Sequence, residues 1–244
     1  MAEMERLSII TITRNDGAAL AEAVRSVASQ TAASRIEHLV VDSSEPPARL
    51  PDGSEARLLR VAPRGVYAAL NEGVRRSTGE IIGMVHGNDR LPGADTAARV
   101  LELFDADPEL DFIYGNLEYR DPASGELRRR YDSSRFRPRL LDYGFGPAHP
   151  TLYVRRRVFE RAGGLYDESF RIAGDFEMWI RLFSAEAGLK WRHVDEVLSI
   201  MSPGGLSSRL GNQLTVSIRE KLKALRKNGH KASVAKLFLR AFYL

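Results

Sequence analysis

Cysteine is absent from the 244 residues. That excludes disulfides, thiolate metal sites and cysteine nucleophiles, and it suits a reducing compartment. Long apolar runs are missing as well: nothing approaches the roughly 18 consecutive residues that a membrane-spanning helix needs. Residues 1–6 mix both charge signs and the apolar run after them stops by Ile12, so no signal peptide is expected and the reading places the chain in the cytoplasm. No Gly-x-Gly-x-x-Gly follows the first strand-like run, and Gly-Lys-Ser/Thr occurs nowhere. A dinucleotide fold and a P-loop lose their main support. Charge is nearly balanced, 36 Lys and Arg against 32 Asp and Glu, which is no nucleic-acid signature. Internal repeats and low-complexity segments are also lacking.

What is present is an alternation of short apolar runs and helical patterns. Residues 7–12 read as a strand, and Asn15 or Asp16 can cap the helix that follows, with Leu20, Val24 and Val27 on one face. Residues 36–41 form a second strand stopped by Asp42, and residues 58–61 a short third. Gly65 opens a helix with Tyr67, Leu70 and Val74 at helical spacing. A fourth run, Ile-Ile-Gly-Met-Val-His-Gly-Asn-Asp-Arg over residues 81–90, enters apolar and stops at Asp89. This is a doubly wound α/β half with a largely parallel sheet. The second half is less regular: a helix over 96–104, a strand over 112–114, a hairpin with arms 115–120 and 126–131, a strand over 151–154, a helix over 175–183 and a strand over 194–201. The run Arg128-Arg129-Arg130 is the solvated side of that hairpin. Residues 1–205 form the main α/β domain, and residues 206–244 a pair of basic amphipathic helices marked by Leu210, Leu214, Ile218, Leu222 and Leu225, then Val234, Leu237, Phe238, Ala241 and Phe242. Their apolar stripe suits packing on the domain, a homodimer, or peripheral contact with an anionic membrane surface.

In open α/β sheets ligands bind outside the carboxyl ends of the strands. Those ends offer Thr13, Arg14 and Asn15, then Asp42, then Arg64 with Tyr67 just beyond, then Asp89. A carboxylate after the second strand suits the imide of uracil or a ribose hydroxyl, and one after the fourth suits a divalent cation holding a diphosphate. Asp175 opens an amphipathic helix, where it serves equally as an N-cap or as a catalytic carboxylate.

Taken together, residues 7–207 resemble glycosyltransferase family 2, with the GT-A nucleotide-diphospho-sugar transferase fold, and within it the small bacterial enzymes of exopolysaccharide, O-antigen and capsule synthesis. The resemblance runs through Ser8-Ile-Ile-Thr-Ile-Thr-Arg-Asn15, Ser26-Val-Ala-Ser-Gln30, His38-Leu-Val-Val-Asp42, Arg64-Gly-Val-Tyr-Ala-Ala-Leu-Asn-Glu-Gly73 with Thr78-Gly79-Glu80, His149-Pro-Thr-Leu-Tyr-Val-Arg-Arg156, Gly163-Gly-Leu-Tyr-Asp-Glu168 and Ala173-Gly-Asp-Phe-Glu-Met-Trp-Ile-Arg-Leu182, in the family's order.

The resemblance implies a mixed, mostly parallel sheet flanked by helices and an inverting transfer from a nucleotide-diphospho-sugar, with UDP as the expected carrier. The acceptor is a hydroxyl of a glycan or lipid-linked intermediate at the inner face of the cell membrane. It makes Asp175 the general base, assigns Thr13, Arg14, Asn15, Asp42, Arg64, Tyr67, Asn71 and Asn88 to the donor, and gives His149 to acceptor or phosphate. Mg²⁺ or Mn²⁺ falls to Asp89 and Asn88. The chain also departs from the family. Where relatives read Asp-x-Asp-Asp, residues 86–89 are His-Gly-Asn-Asp, and an amide at Asn88 ligates without bringing charge. Ala68 and Gly174 stand where relatives often carry acids. A non-catalytic nucleotide- or glycan-binding subunit and a sugar nucleotidyltransferase are the competing readings.

Overall fold

The computed structural model describes residues 6–202 and 212–239. Its first half follows the expected order: β1 (Leu7–Thr13), α1 (Ala18–Ala28), β2 (Ile36–Asp42), β3 (Arg57–Arg60), α2 (Val66–Arg76) and β4 (Ile81–Met84). These four strands lie parallel in the order β3-β2-β1-β4, with Thr13 opposite Asp42 and Ile10 opposite Met84. Then come β5 (Asp89–Arg90), α3 (Thr96–Ala106), β6 (Phe112–Arg120), β7 (Leu127–Tyr131), β8 (Tyr153–Arg155), α4 (Arg157–Arg161), α5 (Gly174–Leu182), β9 (Trp191–Met201), α6 (Asn212–Lys227) and α7 (Val234–Leu239).

One sheet of nine strands runs β3-β2-β1-β4-β8-β6-β9-β5, with β7 branching off β6. Beyond β4 it turns mixed: β8 is antiparallel to β4 and β6, whereas β9 runs parallel to β6. Strand periodicity sorts the core onto two faces. Ile10, Ile82, Phe112 and Val154 point to the face covered by α2, α5 and α6, while Ile9, Ile81, Ile113 and Tyr153 point to the face covered by α1 and α3.

Several expectations are corrected. The segments at 112–114 and 115–120 are one strand, β6, because β9 pairs along its whole length through a register shift near Gly115. Asp89, where the fourth apolar run stops, lies not in a loop but in β5, a two-residue strand with no apolar pattern of its own that pairs with Ile200 and Met201 of β9. Neither Asn15 nor Asp16 caps α1 through its side chain; Gly17 is the N-cap. The hairpin β6–β7 forms as read, with Arg128, Arg129 and Arg130 exposed on it.

Most of the motifs are fasteners. Gln30 bonds Ser26 O, Gly93 O and Ala97 N, stapling α1 to the start of α3. Arg155 is buried, reaches Leu110 O and Phe104 O, and pairs with Glu80. Arg156 donates to Val74 O and Gly79 O at the end of α2. Arg181 donates to Ala162 O, Gly164 O and Leu165 O, fixing the Gly163–Glu168 turn on α5.

The apolar face of α6 is spent on the protein's own core: Leu222, Ala224 and Leu225 are buried there, with Ile218 packed at the edge. Leu237 of α7 is buried as well, while Val234 and Phe238 are exposed. Leu210, Ala241, Phe242 and the Leu214 side chain lie outside the described residues. No helix among the described residues is long and apolar enough to cross a membrane.

Candidate active site

The carboxyl ends of β1, β2 and β4 meet along one edge. Thr13 Oγ1 donates to Asp16 Oδ2 at 2.7 Å and the Arg14 amide does so at 3.2 Å, so Asp16 turns back over the end of β1. Its carboxylate fills the space a side chain at position 87 would need: a Cβ on Gly87 would lie 2.2 Å from Asp16 Oδ2. Glycine at 87 leaves that space to Asp16; a larger residue would have to push the carboxylate aside. Arg14 and Asn15 are exposed. Asn15 adopts a positive φ of 63° and uses its side chain to accept from Glu45 N at 3.0 Å.

Asp42 is fully buried. Its oxygens accept from Ser44 N at 2.7 Å, from Ala48 N at 2.8 Å and from Arg60, so it folds the loop after β2 rather than facing solvent. Burial acts to raise its pKa, but those hydrogen bonds outweigh it and hold the group below the ordinary carboxylate range. Asn71 is likewise consumed: it donates to Tyr166 O and Glu168 Oε1 and accepts from Tyr166 N, tying α2 to the turn before α5. Arg64 is exposed beside the start of α2.

Asp89 is only 2 % exposed, and neither of its carboxylate oxygens has a hydrogen-bond partner among the described residues. Burial and the neighbouring Asp16 charge push its pKa well above the ordinary value. Nδ1 of His86 is similarly buried and unpaired, and burial lowers that ring's pKa to about 4. Asn88, between them, is half-buried. Among the described residues no three His, Asp or Glu side chains converge enough to hold a metal ion by themselves. The unpaired Asp89 carboxylate with the Asp16 charge close by is nevertheless a donor set of the kind Mg²⁺ or Mn²⁺ takes, one or two carboxylates with the shell completed by phosphate and water.

A second cluster forms around Asp175. Tyr67 OH donates to Ile172 O at 2.6 Å and to Asp175 Oδ1 at 3.4 Å, and its ring stacks on Tyr166 with centroids 5.9 Å apart. A side chain at position 174 would have to displace the Tyr67 ring, since a Cβ there would meet it at 2.7 Å. That accounts for glycine beside the carboxylate. The N-cap of α5 is Ala173, and Asp175 instead accepts from its neighbour Phe176 N at 2.7 Å. Burial raises the Asp175 pKa above the ordinary carboxylate range. His86, Tyr67, Tyr166 and Lys221 of α6 are the titratable groups facing it. His149 is buried and shares a 2.9 Å hydrogen bond between Nε2 and Tyr166 OH; it stacks on His86 at 6.4 Å, and burial lowers its pKa to about 4.

The structure thus unites Tyr67, His149 and Asp175, and separately Thr13 with the 86–89 loop, while Asp42 and Asn71 are occupied by protein groups. Sequence reasoning missed Asp16 as a carboxylate at this edge, and Tyr166; for Asp16 the signal was the one acid just past the end of the first strand. Packing of α6 on the domain was among the readings of its apolar stripe, and the structure bears it out, but nothing in its polar face pointed to Lys221 beside Asp175.

The profile for glycosyl transferase family 2 matches residues 8–163. A PGL/p-HBAD biosynthesis glycosyltransferase of Mycobacterium bovis (strain BCG / Pasteur 1173P2) is 30% identical over 212 residues, covering 83% of this chain and 79% of its own. An uncharacterized glycosyltransferase of Mycobacterium tuberculosis (strain H37Rv) is 27% identical over 194 residues, covering 74% and 70%. Among solved structures, residues 1–349 of S. aureus TarS superpose with a TM-score of 0.65 at 14% identity, covering 98% of this chain and 72% of that one. The same fragment in complex with UDP-GlcNAc gives 0.64, at 14% identity and 98% and 73% coverage.

Proposed function

The chain belongs to glycosyltransferase family 2, and on that premise we propose that it transfers a sugar, with inversion, from a UDP-sugar to a hydroxyl of a glycan or lipid-linked acceptor of the cell surface. The observation that carries the reading is the Asp175 carboxylate, held by Tyr67 and raised in pKa by burial, beside the edge where Thr13, Asp16 and Asp89 gather. A carboxylate of raised pKa is a stronger base toward a hydroxyl proton than an exposed one.

In the proposed step Asp175 takes the proton of the acceptor hydroxyl as its oxygen bonds to the anomeric carbon. The bond from that carbon to the diphosphate oxygen breaks on the opposite face, and its electron pair leaves with UDP. Thr13, Asn15 and the loop organised by Asp42 hold the nucleoside; Arg14 and Arg64, both exposed, face the diphosphate charge. Asp89, Asn88 and Asp16 would hold Mg²⁺ or Mn²⁺, which when bound offsets the charge of the departing diphosphate. His149 orients the acceptor side through Tyr166. The support from relatives is that the mycobacterial enzyme acts in PGL/p-HBAD biosynthesis and that TarS binds UDP-GlcNAc.

The test is nucleoside diphosphate release from UDP-glucose, UDP-galactose, UDP-N-acetylglucosamine and GDP- and dTDP-sugars, with Mn²⁺ or Mg²⁺. At least one UDP-sugar is expected to turn over, and Asp175→Asn to fall below about 1% of that rate while keeping UDP binding. UDP binding without release from any donor would replace this reading with a non-catalytic subunit; pyrophosphate release from UTP and a sugar 1-phosphate, with no UDP released from the donors, would replace it with a nucleotidyltransferase.

A further inference from the structure

The segment leading into α5 is held by a residue from α6. Glu220 accepts from Arg171 N through Oε1, and from Ile172 N and Ala173 N through Oε2, each at 2.8 Å. Three consecutive peptide N–H groups on one carboxylate form a charge-assisted clamp, stronger per bond than neutral pairs. The clamp faces the N-terminus of α5, where the helix dipole favours negative charge and where Ala173 supplies no side-chain cap of its own.

The clamped residues lead straight to Asp175. The Ile172 carbonyl, fixed on its N–H side by Glu220, accepts the Tyr67 hydroxyl, and the same hydroxyl donates to Asp175. The next residue of α6, Lys221, donates to Gly144 O at 2.6 Å, lies 5.0 Å from the Phe176 ring centroid and favours the charged form of Asp175. The clamp stands on a fixed base, since Leu222, Ala224 and Leu225 are buried and Lys227 pairs with Asp167 and Glu177 at 2.8 Å.

We infer that Glu220 is a positioning residue for Asp175, and that α6 is a working part of the transfer site. The inference rests on Asp175 being the base, as proposed above. It goes beyond that reading by assigning control of the base to a helix that contributes no group to the reaction. Losing the clamp frees three peptide units immediately before the base, and misplacement of a catalytic group by about 1 Å can cost on the order of 100-fold.

The test compares wild type, Glu220→Ala, Glu220→Gln and Asp175→Asn, using the UDP-sugar identified by the panel above. UDP sites are counted calorimetrically so that turnover is expressed per folded site, and amide hydrogen exchange is followed over residues 171–176. Glu220→Ala is expected to keep the number and affinity of UDP sites, lose roughly 10- to 100-fold in kcat with little change in donor KM, and exchange faster over 171–176. Glu220→Gln keeps an acceptor oxygen for part of the clamp and is expected to recover most of the rate. Unchanged kcat per site in Glu220→Ala, with Asp175→Asn inactive, overturns the positioning role alone. So does a loss of UDP sites in step with turnover, which marks a purely structural residue. Full turnover in Asp175→Asn overturns the base assignment itself, whatever Glu220→Ala does.

Discussion

Two buried carboxylates of this protein should respond to neutralisation with opposite signs. Glu177 is fully buried and fully answered: Arg181 bonds both its oxygens, and Lys227 reaches it at 2.8 Å. Removing one member of such a buried pair costs about 3–5 kcal/mol, so Glu177→Gln is expected to be strongly destabilising. Asp89 is just as deeply placed, but neither oxygen has a hydrogen-bond partner among the described residues, and the neighbouring Asp16 charge is of the same sign. An unsatisfied buried polar group costs about 1–3 kcal/mol, more when charged. Asparagine at 89 would be no better hydrogen-bonded but carries no charge to desolvate, so Asp89→Asn should raise the stability of the nucleotide-free protein at neutral pH by the part of that cost the charge adds, on the order of 1–3 kcal/mol, with each kcal/mol moving the Tm by roughly 2–4 °C in a chain of this size. The gain should depend on pH. Below the ordinary value of 3.8 the side chain is protonated whether folded or unfolded, and ionisation adds no cost at Asp89. The cost grows as pH rises from there toward the raised folded-state pKa and is constant above it. Thermal unfolding of both proteins from pH 4 to 8 reads this directly: the Tm difference should be smallest at pH 4 and full at neutral pH. The same variant should bind UDP with Mn²⁺ more weakly than wild type. A Tm loss for Asp89→Asn at pH 7 comparable with that of Glu177→Gln would refute the reasoning, because it would mean the carboxylate is satisfied.

The remaining predictions concern the base and its supports. Turnover should rise with pH along an acid limb that lies above the ordinary carboxylate range, since burial raises the Asp175 pKa and the base acts only when ionised; a kcat profile flat down to pH 4 would contradict this. Gly174→Ala should cost about 1–3 kcal/mol by pressing a methyl into the Tyr67 ring and should lower turnover with it, and wild-type Tm and kcat would show that Tyr67 has room to retreat. Leu225→Ala should destabilise the whole domain by about 2–5 kcal/mol in denaturant unfolding; a change under about 0.5 kcal/mol would mean that α6 is a loose appendage.

The half of the sheet from β3 to β4 was legible because each of its strands ends abruptly at a polar residue and each helix carries a 3.6-residue stripe. Patterning failed where the pairing partner is distant. Asp89–Arg90 is too short to show strand alternation and is a strand only because Met201 lies opposite. Asp42 and Asn71 were legible as polar groups at the right places, but not as groups already occupied: the partners that fill them, Arg60 and Tyr166, carry no local signal. Gly174 and Gly87 read as departures or neutral residues, and only the packed structure shows the Tyr67 ring and the Asp16 carboxylate in the space their side chains would take.

The clamp on the segment before α5 also orders events in time. The first four strands pair with one another within residues 7–84, early in the chain. The carboxylate that secures residues 171–173 is not synthesised until residue 220. A nascent chain therefore carries Asp175 behind an unclamped segment until synthesis has passed residue 220.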